Sequence, residues 1–294
     1  MKFGSVENPE IIDFTLPEDH PGTAGVLGEL IPNTPLHIYV GCAKWNRQDL
    51  KNFYPRGTKD ELAYYATQFN SIELNATFYR IFPSEQFAKW KEKTPENFRF
   101  FPKLSRDISH LRRLNDQSLP IVSEYLDAAL NLDGRLGTLF LQMHNNFAPN
   151  NWDRVVSFAE FWPKEIPLAI EFRHTDWFNN DKVSSNLYHL METHNFSNII
   201  VDTAGRRDLL HMRLTNDEAF IRYVGANHAT DYNRLDDWVD RLESWVKMGL
   251  RKIHFFIHQN LEVESPLLSA YFIKKINERL GTDLTIPKTI NTLF

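Results

Sequence analysis

The chain has 294 residues, of which 42% are hydrophobic and 24% charged, a globular composition that excludes disordered, collagen-like and coiled-coil chains. Its formal charge of −5 leaves no overall basic field of the kind a non-specific nucleic-acid binder needs. One cysteine, Cys42, rules out an intrachain disulfide and a multi-cysteine zinc site and fits a reducing cytoplasm, and no apolar run is long enough to span a membrane or form a signal peptide.

Residues 1–35 carry Pro9, Pro17, Pro21, Pro32 and Pro35, which interrupt every apolar stretch and predict an irregular N-terminal arm. From residue 36 to 294, eight β-rich runs recur at strand–helix spacing: Leu36–Gly41, Ser71–Asn75, Phe98–Lys103, Leu136–Gln142, Pro167–Phe172, Asn198–Asp202, Ala219–Gly225 and Lys252–His258. Segments of helical period lie between them. The first follows Thr58 and Glu61, which read as a capping box. Others run over Ser84–Lys93, Leu119–Leu132, Asn151–Phe161, Asp181–His194, Arg234–Met248 and Pro266–Leu280, while Thr203–Asp217 predicts one irregular crossover. Alternating strands and helices without a composition break predict an α/β fold, a single (β/α)8 TIM-type barrel, with a doubly wound open sheet as the alternative.

Polar residues cluster at the carboxyl ends of these strands, where barrels of this class keep their sites. Strand alternation puts Glu73 with Asn75 on one face, Glu171 with Arg173, Gln142 with His144, and His254 with His258. Lys103 ends the third run, Asp202 ends the sixth, and Arg222 lies in the seventh. Three acids (Glu73, Glu171, Asp202) and three bases (Lys103, Arg173, Arg222) would balance in one pocket, either as a structural ion-pair plug or as a ligand site.

The sequence Ile72-Glu73-Leu74-Asn75-Ala76-Thr77-Phe78-Tyr79 resembles the pattern after the second strand of the DUF72 (YecE-like) family. The resemblance continues at Gly41, Trp45, Tyr54-Pro55, Phe98-Arg99-Phe100, Lys103, Ser109-His110, Arg113, Gln142, Ala169 to Arg173 and Trp177-Phe178. It implies a TIM-type barrel and no established activity. The chain departs from the family at Cys42-Ala43-Lys44, where small or hydroxyl residues are common, and at Phe256 to Asn260, where paired asparagines are usual.

Three functions fit these residues. The first is binding of a small anionic, phosphorylated or carboxylated, sugar-like molecule, with acid/base catalysis by Glu73, Glu171 or Asp202 and with Asn75, Lys103, His110, Gln142, Arg173, Arg222 and His258 as binding residues. The reaction would be hydrolysis, elimination or isomerisation. The second is a metal-dependent phosphodiesterase similar to endonuclease IV, using Glu73, Glu171, Asp202 and His258. The cations opposing those acids argue against it, so no cofactor and no transition metal is expected. The third is a non-catalytic binder of an anion or nucleic acid, with Lys103, Arg106, His110, Arg112, Arg113, Arg206 and Arg207 as a basic rim and Trp45, Tyr79, Trp177 and Phe178 as stacking platforms or loop anchors. Cys42 reads as a nucleophile or as a small buried hydrophobe, and His110, His144 and His174 as proton shuttles or incidental loop residues.

Overall fold

Every second residue of a β-run faces the same way, and that alternation sorts the chain into a phenylalanine-rich interior and an outer layer of mixed aliphatic and aromatic side chains. A computed structural model describes residues 4–28 and 34–289. The strands are β1 (His37–Cys42), β2 (Ser71–Leu74), β3 (Arg99–Pro102), β4 (Leu139–Gln142), β5 (Leu168–Glu171), β6 (Ser197–Asn198), β7 (Ile200–Thr203), β8 (Glu218–Gly225) and β9 (Lys252–Gln259). All pairings are parallel. One sheet runs in the order β1-β9-β8-β7, a second pairs β2 with β3, and a third runs β4-β5-β6.

The sheets adjoin. Phe100 bridges to Leu136 and Lys103 to Phe140 across the gap between β3 and β4, and Ile199, between β6 and β7, donates its N–H to Ile170 O of β5. Between β1 and β2 no backbone ladder forms among the described residues. Side chains take its place: Asn70 accepts from Val40 N at 3.0 Å and donates to Ile38 O at 2.7 Å, and the Tyr65 hydroxyl accepts from Cys42 N and donates to Ser71 O. Gly41 permits this approach, because a Cβ there would lie 2.3 Å from Ser71 O.

Helices on the connecting segments cover the outer faces. They are α1 (Pro21–Gly28), α2 (Glu61–Gln68), α3 (Ala76–Tyr79), α4 (Ser84–Glu92), α5 (Leu119–Ala129), α6 (Trp152–Phe161), α7 (Asp181–Thr193), α8 (Thr230–Met248) and α9 (Ser265–Leu280). None is long and apolar enough to cross a membrane. The stretch after β7 is a kinked 3-10 segment, Ala204–Leu209, so the irregular crossover stands where the sequence placed it. Two expectations change. Asp60, not Thr58, caps α2 by accepting from Ala63 N, while Thr58 turns back to Pro55 O.

The N-terminal arm also contains a helix, α1, despite its prolines. Pro21 occupies a helix start, where its missing N–H costs nothing, and buried Thr23 and Leu27 hold a glycine-rich segment by tertiary contact. Thr23 donates to Met212 O and accepts from Leu214 N. Prolines 9, 17 and 35 lie outside α-helix, as expected; Pro32 and residues 290–294 lie outside the described residues.

The inward positions stack in three tiers. Thr138, Ser197, Glu218 and His254 form a polar floor, in which Glu218 accepts from Thr138 and Ser197 and lies 3.2 Å from His254 Nδ1. Two residues further along their strands, Phe101, Phe140, Phe220 and Phe256 pack with Ala169, Ile199 and Val201 into an aromatic middle. Two further again lie Lys103, Gln142, Glu171, Arg222 and His258.

Asp202 is not among them. Ile199 and Val201 occupy the interior, so alternation turns Asp202 outward, where it accepts from Arg234 Nη2 at 2.8 Å and Trp238 Nε1 at 2.7 Å of α8, and from Arg207. The placement of Asp202 in a pocket with Glu73 is therefore corrected. Arg207 also donates to Phe14 O and Thr15 O, tying the arm to the end of β7. Removing one partner of a buried ion pair typically costs about 3–5 kcal/mol, so Asp202→Ala is expected to lower unfolding free energy by that order in a urea titration. A loss below about 1 kcal/mol, the surface-pair range, would contradict this role.

Candidate functional site

The uppermost tier opens into a cavity of about 710 Å³ lined by Glu73, Asn75, Lys103, His110, Gln142, Arg222 and His258, with Trp45, Phe78 and Tyr79 as its aromatic wall. Seven of the ten residues singled out by sequence thus meet there. Glu171 at the end of β5 and Arg173 two residues beyond it lie against the cavity, and Asp202 lies elsewhere.

Arg222 organises the group. Its Nε and Nη2 form a fork to the two oxygens of Glu73 at 2.9 and 2.8 Å, and its Nη1 donates to Glu171 Oε2 at 2.6 Å. Asn75 donates to Glu73 Oε1 at 2.8 Å, and His258 Nε2 to Glu73 Oε2 at 3.0 Å. A carboxylate only accepts, so this contact sets the proton of His258 on Nε2. Glu171 takes two bonds from Gln142 Nε2, each 3.0 Å, and one from Arg173 Nε. Every oxygen of the two carboxylates therefore accepts at least two hydrogen bonds.

Burial alone would raise both acids, but the guanidiniums override it. Arg173 and Arg222 take Glu171 down to about 2, and Arg222 with His258 holds Glu73 well below the usual carboxylate range. Both are firmly ionised.

Lys103 stands apart. Its backbone is pinned where β3 ends: its N–H donates to Leu74 O, and its carbonyl accepts from Thr77 Oγ1 and Tyr125 OH. Its ammonium donates to Gln142 Oε1 at 2.8 Å and lies 4.3 Å over the ring of Phe78. No carboxylate among the described residues lies within ion-pair distance of it. Burial, reinforced by Arg222 and opposed by Glu171, brings it down to about 7. Gln142 cannot rotate to help, because its amide group is committed to Glu171.

His110 comes from a single π-helical turn, Asp107–Leu111, a form often found at functional sites. The next two residues after Arg112, Arg113 and Leu114, both have positive φ. The His110 ring packs edge-on to Phe78 and His144, and Ser109 Oγ lies 2.8 Å from its Nδ1. Burial and then Lys103 lower it to about 4, so the ring is neutral at physiological pH.

Phe78 was present in the motif but had no role assigned to it. The short helix α3, directly after β2, aims it at Lys103. Asp49 and Glu262, from loops, also line the cavity and carried no periodic signal. Other candidates recede. Cys42 is buried and its thiol is pushed up by burial. His254 belongs to the floor. Trp177 is a buried loop anchor whose Nε1 donates to Phe147 O at 2.6 Å. The basic rim is partly neutralised, Arg112 by Asp107, Arg206 by Asp208 and Arg207 by Asp202. Among the described residues, no three His, Cys, Asp or Glu side chains are grouped so as to hold a metal ion.

Residues 39–290 match the family described as "Protein of unknown function DUF72". The chain belongs to the DUF72 family. It is 27% identical over 233 residues to the UPF0759 protein YecE of Escherichia coli K12, covering 71% of this chain and 82% of that protein. It is 31% identical over 153 residues to the UPF0759 protein YunF of Bacillus subtilis, covering 48% and 52% respectively. A DUF72 crystal structure from Enterococcus faecalis superposes with a TM-score of 0.68 at 20% identity, covering 86% of this chain and all of that one. One from Thermotoga maritima gives 0.63 at 22%, covering 82% and 99%. At these identities the solved structures establish a shared fold.

The Lys103 shift has a signed consequence. Between its folded value of about 7 and its ordinary value of 10.5 the unfolded chain binds more protons, so its contribution to stability rises with pH and falls as pH drops toward 7. The unfolding free energy of the wild type relative to Lys103→Met should increase across that window by up to about 1.4 kcal/mol per pH unit. A flat difference in urea titrations between these limits would show that Lys103 keeps an ordinary pKa.

Proposed function

We propose that the parallel sheets of this DUF72 protein are arcs of one (β/α)8-type ring, and that the cavity at the carboxyl ends of its strands binds a small anionic molecule, phosphorylated or carboxylated and sugar-like. Two features support the ring: the side-chain seam at β1–β2 and the bridges at β3–β4 join neighbouring sheets, and the aromatic tier draws residues from strands of different sheets.

The observation that carries the anion reading is the charge count of the buried tier at the base of the cavity. With Asp202 facing α8, three cations of that tier (Lys103, Arg173, Arg222) meet two carboxylates (Glu73, Glu171), and those carboxylates are taken up by the two guanidiniums and by Gln142, Asn75 and His258; of the other charged residues lining the cavity, Asp49 pairs with Lys44 and Glu262 accepts from Ser265. Lys103 remains as a buried cation whose acceptor, among the described residues, is a single neutral oxygen. An anion arriving beside it would supply the missing counter-charge, and Trp45, Phe78 and Tyr79 would flank an uncharged portion of the same molecule.

Any proton transfer falls to Lys103 and His110, whose values lie lower than usual, and not to Glu73 or Glu171, which hold their protons too weakly to serve as bases near neutrality. The metal-dependent phosphodiesterase alternative has less support. A cation ligated by Glu73 and Glu171 would have to displace Arg222 from both.

Calorimetric titration with inorganic phosphate, phosphorylated sugars and sugar acids tests the reading. Replacing Lys103 by Met in a folded variant is expected to weaken binding about ten- to a hundred-fold, the equivalent of one charge-assisted hydrogen bond. Absence of binding by every anion, or an affinity unchanged in the variant, would refute it.

A further inference from the structure

We propose that Lys103 is a covalent site: its amine condenses with the carbonyl of an anionic aldehyde or ketone to form an imine in the cavity. The inference rests on the anion reading and narrows its substrate class to carbonyl compounds.

Four features of the geometry support it. A lysine that attacks carbonyls must be uncharged part of the time, which a desolvated pocket with neighbouring cations achieves and an ion pair prevents. Lys103 is buried but faces the cavity, and among the described residues the one acceptor its ammonium touches is the neutral Gln142 Oε1. That acceptor is locked, because Gln142 Nε2 spends its hydrogens on Glu171. The nearby charged and titratable groups act in opposite directions: Arg222 from β8 and Arg173 from just beyond β5 disfavour the ammonium, Glu171 and Glu73 from β5 and β2 favour it, and His110 from the π-turn is neutral. The Phe78 ring face lies against Nζ, where it would also face the iminium cation that replaces the ammonium.

The step balances without a co-reactant. Neutral Nζ adds to the carbonyl carbon, forming a C–N bond as the π pair moves to oxygen. That oxygen takes the proton released by the nitrogen, giving a carbinolamine. Protonated by solvent through the open cavity, the hydroxyl leaves as water while the nitrogen lone pair forms the C=N bond. The product is a protonated imine plus one water, and no electron is transferred. The anionic group of the carbonyl compound would lie toward Arg222 and His258, and its uncharged part along Trp45 and Tyr79.

The test uses the intact wild-type protein, so it does not depend on a variant folding. The protein is incubated near neutral pH with pyruvate, glycolaldehyde phosphate or the uncharged propanal, reduced with sodium borohydride, digested, and mapped by peptide mass. In parallel, tryptophan fluorescence follows binding of inorganic phosphate. The expected result is a reduced adduct on Lys103 that forms well before adducts on surface lysines, is suppressed by inorganic phosphate, and disappears in Lys103→Arg. If Lys103 reacts no faster than surface lysines while phosphate still binds, the imine is overturned and the anion reading stands. If Lys103 is labelled selectively but equally by propanal, with no effect of phosphate, the imine stands and the anion reading fails. Neither selective labelling nor phosphate binding would overturn both.

Discussion

A single guanidinium sets the geometry of this site. Arg222 projects from β8, one step above Phe220, and its Nε, Nη1 and Nη2 reach Glu73 on β2 and Glu171 on β5. Isolated, any of the three would be too costly to bury. Together they satisfy one another, and the fork geometry fixes how far apart β2, β5 and β8 can be. The remaining polar residues of the tier are then placed by the lone pairs that Arg222 leaves: Asn75 and His258 on Glu73, Gln142 and Arg173 on Glu171. Lys103 is held at the end of that chain, one neutral amide away from the nearest negative charge in its hydrogen-bonded sequence. Its lowered pKa follows from burial and from that separation.

Below this tier the aromatic layer separates two polar layers that could otherwise share water. Phe101, Phe140, Phe220 and Phe256 are each almost fully buried and touch ring to ring. They seal the base of the cavity and keep the upper charges in a medium of low polarity, where hydrogen bonds to ions are strongest and the penalty for an unpaired ion is greatest. The floor beneath repeats the device on a smaller scale, with buried Glu218 held by Thr138, Ser197 and His254.

Much of this was readable in the residues because period-two alternation is unambiguous where a strand mixes polar and apolar positions. Glu73, Gln142, Glu171, Arg222 and His258 each lie two residues from an inward neighbour of known character, and their convergence follows. Asp202 defeated the same reasoning. It ends the run Ile199-Ile200-Val201, which is apolar on both faces, so the pattern gives no direction and position at a strand end was the only guide. What separates inside from outside there is α8, whose Arg234 and Trp238 are 32 and 36 residues further along the chain and invisible to local periodicity. Helix α1 escaped notice for a related reason: its three glycines give it little intrinsic tendency to coil, and burial of Thr23 and Leu27 supplies what propensity does not. The part played by Phe78 depended on the exit angle of a helix only four residues long.

The seam between β1 and β2 also makes the sheet's continuity depend on side chains. Elsewhere neighbouring strands are joined by the backbone, which every substitution leaves in place except proline. Here Asn70 and Tyr65 carry the junction through one amide and one hydroxyl. The spacing of these two strands is thus set by side-chain reach and is open to change by substitution of either residue, neither of which lines the cavity.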